Sequence, residues 1–224
     1  PCYLDPIDVL FDCIGSLLLQ KNPQNMLVVV AFETKTPDLY RKRKAVEEAF
    51  TGRFGHLLIT EHTVEPRTEI AGGCSNKNYA LRQMTKFLNE SNNNPNSSSF
   101  PNSELKSVTV TTCDTDSLFH PNYFEALEGA YNEENPSLEL NKAGSTLSPR
   151  MVVWQSPVFY NWDLDNRPFF NRTTGIMRSL MMLGGLISFD LNPMSIFSYP
   201  LELGLKAGFI NPRYSVDDII FKVR

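Results

Sequence analysis

Residues 8–19 (DVLFDCIGSLLL) set apolar side chains at helical spacing, with Asp5-Pro6 just ahead as a start signal, and predict a first helix. The unbroken apolar run at residues 26–32 (MLVVVAF) predicts a strand buried on both faces, as in a parallel sheet. Residues 39–50 (LYRKRKAVEEAF) predict a charged amphipathic helix whose Arg-Lys-Arg-Lys run is a solvated face, and residues 55–60 (GHLLIT) a second strand. Another helix is predicted over residues 78–88. The β-branched residues Val108, Val110, Thr111 and Thr112 then predict a strand, and Phe124, Leu127 and Tyr131 share one helical face. Further on, residues 151–153 read as a strand and residues 167–186 as a long, Met-rich helix whose Met181-Met182 stripe is core. Residues 200–206 (PLELGLK) form a short helix ended by Ala207-Gly208. Strand and helix alternate, so the predicted class is α/β, with a central, mostly parallel sheet covered on both sides.

Two polar stretches interrupt this pattern. Residues 89–107 (NESNNNPNSSSFPNSELKS) are an Asn/Ser-rich insertion with too little apolar area to order itself, and residues 132–149 form a second polar connection. Neither divides the chain, which reads as one domain over residues 1–224. A net charge of −4 leaves no basic footprint and argues against nucleic acid as a partner. The four cysteines have neither CxxC nor zinc spacing and read as reduced, buried thiols of a cytosolic-facing domain. No run of 18 apolar residues is present to span a membrane. The opening Pro1-Cys2-Tyr3 reads as a chain picked up just after a first strand, so the chain is expected to be a piece of a larger protein.

Candidate chemistry concentrates at Asp114-Thr115-Asp116, carboxylates two residues apart where the 107–112 strand should end. Ligands of open α/β sheets bind outside the carboxyl ends of strands. Two hard carboxylates there suit Mg²⁺ or Mn²⁺, which takes one or two carboxylates, waters and phosphate oxygens. The same residues also suit a turn, or Asp116 or Ser117 an N-cap for the next helix. His120 reads as part of that helix's first turn rather than as a metal ligand.

Strand, Asp-x-Asp-Ser, Pro and amphipathic helix together resemble the metal-binding segment of the inverting family 2 glycosyltransferases, and other motifs follow in the family's order. Pro1-Cys2-Tyr3-Leu4-Asp5 is similar to the family's Pro-x-Tyr-x-Glu, which implies that Tyr3 and Asp5 help hold the nucleotide base. Glu33 is the nearest match to the acidic residue that ends the family's second strand, although the usual Asp-Asp-x-Ser is missing. Gly72-Gly73-Cys74-Ser75-Asn76-Lys77-Asn78-Tyr79-Ala80-Leu81 resembles the family's Gly-Lys-x-x-Asn-x-Asn-Tyr-Ala-Leu, with Gly73 where lysine is usual and Lys77 as a substitute phosphate contact. Asn78 is its best-matched polar residue, also readable as a helix cap. Asp217-Asp218 looks like the family's Glu-Asp pair, implying Asp218 as catalytic base and Asp217 near the acceptor, with Gln155 on the acceptor side as well. An acidic first helical turn is the plainer reading of the pair.

The resemblance, closest to the cellulose- and chitin-synthase-like branch, implies a GT-A fold: three layers, α/β/α, around a mixed, mostly parallel sheet. It implies a nucleoside-diphosphate sugar as donor, most often a UDP-sugar, with Asp114 and Asp116 on Mg²⁺ or Mn²⁺. The acceptor would be a carbohydrate or other hydroxyl, as in polysaccharide synthesis. A membrane protein is the expected parent, attached through parts outside this chain. A non-catalytic sugar-nucleotide-binding domain and a purely structural α/β domain stay open. A sugar-nucleotide pyrophosphorylase would need a Gly-rich, Arg/Lys-bearing loop after the first strand, and none is present.

Overall fold

The computed structural model describes residues 2–93, 107–135, 151–160, 164–187 and 196–213. Helix α1 (Ile7–Leu18) starts after Pro6, whose fixed φ suits a helix entry, and Asp8 in the first turn favours the positive end of the helix dipole. Its Leu10 and Ile14, one turn apart, are buried against strand β1 (Leu27–Glu33). β1 runs parallel to β2 (His56–His62), in register from Leu27 opposite His56 to Glu33 opposite His62. Helix α2 (Leu39–Phe50) makes the crossover and buries Val46 and Phe50. Both faces of β1 are covered: Val28, Val30 and Phe32 face α1 and α2, whereas Leu27 and Val29 pack on the cluster around α3. That double burial is why the strand is a continuous apolar run rather than an alternating one.

Helix α3 (Gly73–Asn93) is longer at both ends than the predicted 78–88 segment. It follows Gly72, whose φ of +143° is open to glycine but strained for other residues. The first residues of the supposed 89–107 insertion are therefore helical. Residues 94–106 of that insertion lie outside the described residues, as do 136–150 of the second polar connection.

The second half of the chain departs from the expected single, mostly parallel sheet. β3 (Thr109–Thr112), β4 (Trp154–Gln155) and β5 (Phe197–Pro200) form a separate three-stranded sheet in the order β3-β5-β4, with both pairings antiparallel. The reason is β5, which enters between β3 and β4 with all four residues buried and therefore shows no alternation that sequence pattern could reveal. The predicted strand at 151–153 is displaced to Trp154–Gln155. Helices α4 (Tyr123–Glu134), α5 (Phe169–Met181) and α6 (Leu201–Ala207) complete a mixed α/β fold, and Gly208 ends α6 in the left-handed conformation (φ +74°). The long predicted helix breaks after Met181 into a π-helical stretch, Met182–Ile187. The methionine stripe splits with it: Met182 is 2% exposed and core, but Met181 is 61% exposed. No helix among the described residues is long and apolar enough to cross a membrane.

Two local consequences are testable. A Cβ on Gly55 would lie 2.2 Å from the Gln24 carbonyl oxygen, a backbone atom with no side-chain freedom to yield. Gly55→Ala is expected to cost about 2 kcal/mol, as overpacking does, read as a lowered urea midpoint. His56 stacks on Phe87 with ring centroids 4.3 Å apart, and burial lowers its pKa from the ordinary 6.5. Below about pH 6.5 the unfolded chain therefore binds more protons than the folded one, so stability is full above that pH and declines as pH falls through the folded pKa. His56→Asn should flatten the denaturation midpoint between pH 7.5 and 5.5.

Candidate functional site

The carboxyl ends of β1 and β3 and the start of α3 meet at one edge of the molecule. The Asn76 side-chain amide donates to the Ala31 carbonyl (3.0 Å), and Lys77 Nζ lies 3.0 Å from Asp114 Oδ1. Cys2 joins the same edge: its N–H donates to the Ala31 carbonyl (2.7 Å), and its own carbonyl accepts from Glu33 N–H (3.4 Å). Tyr3 follows, 40% exposed, its N–H donating to Asp5 Oδ2 (3.3 Å), while Lys42 Nζ donates to the Asp5 carbonyl (2.7 Å). Tyr3, Asp5, Asp114 and Asp116 thus share the strand-end edge on which ligands of α/β sheets bind.

The acidic loop is fixed from below by one face of α1 and its end. Cys13 Sγ donates to the Asp114 carbonyl (3.9 Å), Ser16 Oγ accepts from Phe119 N–H (3.1 Å), and the Gln20 amide donates to the His120 carbonyl (2.9 Å). Spacings of three and four residues bring these side chains onto one helical side. Ser117 N–H closes a turn on the Asp114 carbonyl (3.2 Å). Neither Asp116 nor Ser117 caps α4, which starts at Tyr123 with Asn122 before it. His120, exposed, accepts from Asn122 N–H at Nδ1 (3.2 Å) and precedes the helix.

The two carboxylates have different settings. Asp114 is half-exposed and ion-paired with Lys77, whose side chain is only 6% exposed; a buried ammonium requires such a partner. Lys77 is thus engaged by the acidic loop itself. Asp116 is exposed and lines a cleft of about 350 Å³ with Asp12 of α1, Tyr160, Arg167 and Asn171. Arg178 lies over the Tyr160 ring, 5.7 Å from its centroid. The cleft therefore offers both carboxylate and guanidinium chemistry, suited to a ligand with a metal-neutralised phosphate.

Other sequence-predicted residues serve the scaffold. Asn78 is 3% exposed; its amide N–H bonds the Ile210 carbonyl, tying α3 to the turn after α6, and its Oδ1 accepts from Arg82 Nε one turn on in α3 (2.8 Å), so both ends of the amide are engaged within the scaffold. Gln155 donates to the Ser156 and Ile196 carbonyls, both at 2.8 Å, which holds β4 against β5. Glu33 is buried at 6% exposure rather than displayed at the surface. Asp217 and Asp218 lie outside the described residues. Among the described residues no group of three or more His, Cys, Asp and Glu stands ready to hold a metal alone, so a bound ion would draw its remaining ligands from phosphate and water.

All four cysteines are free thiols, three of them buried. A hydrogen bond between Cys13 and Cys113 pushes the Cys13 thiol far up, reinforced by burial, and pushes the half-buried Cys113 thiol down. The residues that sequence reasoning passed over are Asp12 and Arg167. Their spacing carries no motif; the signal was a carboxylate inside the apolar 8–19 helix and an arginine opening the 167–186 segment. No protein-family model matches the chain, and no curated protein does.

Proposed function

We propose that the chain binds a nucleoside-diphosphate sugar at its strand-end edge and is the catalytic part of an inverting, metal-dependent glycosyltransferase of GT-A type. One observation carries the reading: Asp116 stands exposed on a tethered loop at the end of β3, facing a cleft that also holds Arg167. Tyr3 and Asp5 at the same edge suit the base and ribose end of a UDP-sugar. Asp116 fits Mg²⁺ or Mn²⁺ as one carboxylate ligand, with Asp114 beside it through the loop although paired to Lys77. When bound, such an ion neutralises charge on the diphosphate as the nucleoside diphosphate leaves. Arg167 adds fixed positive charge to the same wall of the cleft. In this reading Asp218 takes the proton of the acceptor hydroxyl as that oxygen attacks the anomeric carbon from the face opposite the departing diphosphate. The acceptor is a sugar or other hydroxyl compound, as in polysaccharide synthesis, and a membrane-anchored, cytosol-facing parent fits that role.

Calorimetric titration of UDP into the chain, with Mn²⁺ and then with EDTA, tests the donor site. Binding that requires the ion supports it, and a folded chain that binds neither UDP nor GDP under either condition defeats it. A second reading, a sugar-nucleotide-binding domain without turnover, is favoured by the Lys77–Asp114 pair, which engages one of the two candidate metal carboxylates. Metal-dependent UDP binding together with no release of UDP from UDP-sugars by a longer, acceptor-supplied form would select it.

A further inference from the structure

Helix α5 is seated on the protein with its apolar side outward. Its inward residue is Gly175, buried, with Ser179 half-buried one turn on. Ser179 Oγ accepts from Tyr160 N–H (2.9 Å) and Arg178 lies over the Tyr160 ring, so a small, polar side ties the helix down. The other side is open: Phe169 is 66% exposed, Phe170 79%, Ile176 52%, Met177 55%, Leu180 58% and Met181 61%. At 3.6 residues per turn these six fall within one arc of about 140°, centred opposite Gly175. A surface helix of a globular protein turns such an arc toward the core. Single apolar residues scattered over a surface need no explanation, but six on one face mark a contact.

The polar residues of the helix indicate what covers that face. Thr173 lies within the arc and Thr174 at its edge, and their hydroxyls donate to the carbonyls of Phe169 (3.0 Å) and Phe170 (2.8 Å). Both hydroxyls are therefore satisfied inside the helix and can leave water. Arg172 stands beyond one border of the arc and Arg178 beyond the other. Residues 166–187 hold three arginines, Arg167, Arg172 and Arg178, and neither Asp nor Glu, in a chain whose net charge is −4. An apolar arc bordered on both sides by long cations suits the boundary between lipid headgroups and acyl chains. The apolar side chains dip into that boundary and the guanidiniums reach up to phosphate. A second copy laid on the same face would instead bring arginines together with no carboxylate in the segment to offset them.

We infer that α5 docks this chain on a membrane surface rich in anionic lipid, with its apolar arc in the headgroup–acyl boundary. The helix lies on the bilayer and does not cross it: its 13 residues make a rod of about 20 Å, short of the roughly 30 Å hydrocarbon core. The contact is made by this chain's own residues, distinct from the attachment expected through other parts of a parent protein. Arg167 and Asn171 of the same segment line the cleft at Asp116. Asn171 is on the side of α5 away from the arc, so docking holds that cleft one helix diameter, about 10 Å, above the lipid. The inference rests on the helix alone and is independent of any catalytic role.

Co-sedimentation of the whole chain with vesicles tests it, using phosphatidylcholine containing one quarter phosphatidylserine beside pure phosphatidylcholine, at low salt. The chain should bind the mixed vesicles at least about tenfold more tightly, because each basic residue near an anionic surface contributes about fivefold. Ile176→Gln with Leu180→Gln should weaken binding to the mixed vesicles by at least about 30-fold and leave the urea midpoint unchanged, since both side chains are exposed. Met177→Gln with Met181→Gln, on the same arc, should repeat the loss, and Tyr40→Ala, exposed on α2, should bind as the unaltered chain does. No sedimentation of the unaltered chain with the mixed vesicles overturns the inference, as does binding that both glutamine pairs leave intact. Equal binding to pure phosphatidylcholine overturns the role of the arginines. A dimer that grows with concentration and is abolished by the glutamine pairs, with no vesicle binding, assigns the face to a second copy instead.

Discussion

Asp116→Ala is expected to weaken Mn²⁺-dependent UDP binding by at least about 100-fold, with no change in binding measured in EDTA. Loss of a group that merely supports a metal ligand costs 10- to 100-fold in affinity, and loss of the ligand itself costs more. Asp116 is exposed at the cleft, and its loop is held by Cys13 and Ser16 of α1 and by Gln20 just past it, so alanine removes a carboxylate without releasing the loop. Asp114→Asn should differ in kind. It discharges the partner of a buried Lys77 and lowers stability as well as affinity. Asp218→Asn, by contrast, should spare nucleotide binding and stop transfer. Titration calorimetry of the three variants beside a urea denaturation of each separates the outcomes, and an Asp116→Ala chain that binds Mn²⁺–UDP normally would remove the metal assignment.

Phe32→Ala is the largest expected loss of stability, about 3–5 kcal/mol by analogy with other fully buried aromatic truncations. Phe32 is 0% exposed and packs in the cluster of α1, β1 and α2 residues that includes Leu10, Ile14 and Val46. It also sits opposite Cys2 in the bridge that anchors the Tyr3–Asp5 segment, so the cavity left behind would loosen that segment along with the core. Tyr40→Ala, at a position 79% exposed, should stay within about 0.5 kcal/mol. Guanidinium denaturation of both variants gives the comparison; similar midpoints for the two would mean that β1 is not the centre of the fold.

The first half of the molecule was legible because its elements are local and strongly patterned. Helix α2 occupies the 39–50 span that its charge and apolar rhythm predict, and β1 reads as doubly buried because it is. The acidic loop was legible too: a strand that ends in Asp114-Thr115-Asp116 can put those residues only at its carboxyl end. What was not legible depends on partners distant in sequence. β5 is four residues long and buried throughout, so nothing in its own composition announces that it will reverse the direction of the second sheet. The Lys77–Asp114 pair joins residues 37 positions apart, and it turned a presumed phosphate contact into a structural one. Asn78 matched a ligand-binding pattern by position, but its burial decided its partners.

Helix α1 has one further consequence. Its amino end follows Asp5 and Pro6, and its Cys13 and Ser16, with Gln20 just past its end, grip the loop that carries Asp116. At 1.5 Å per residue, the six steps from Ile7 to Cys13 span about 9 Å along a rod that does not stretch. The helix is therefore a gauge: it sets the distance between the two ends of any ligand laid along the edge. A ligand shorter or longer than that distance would lose contact at one end, and the selectivity would reside in a helix that need not touch the ligand at all.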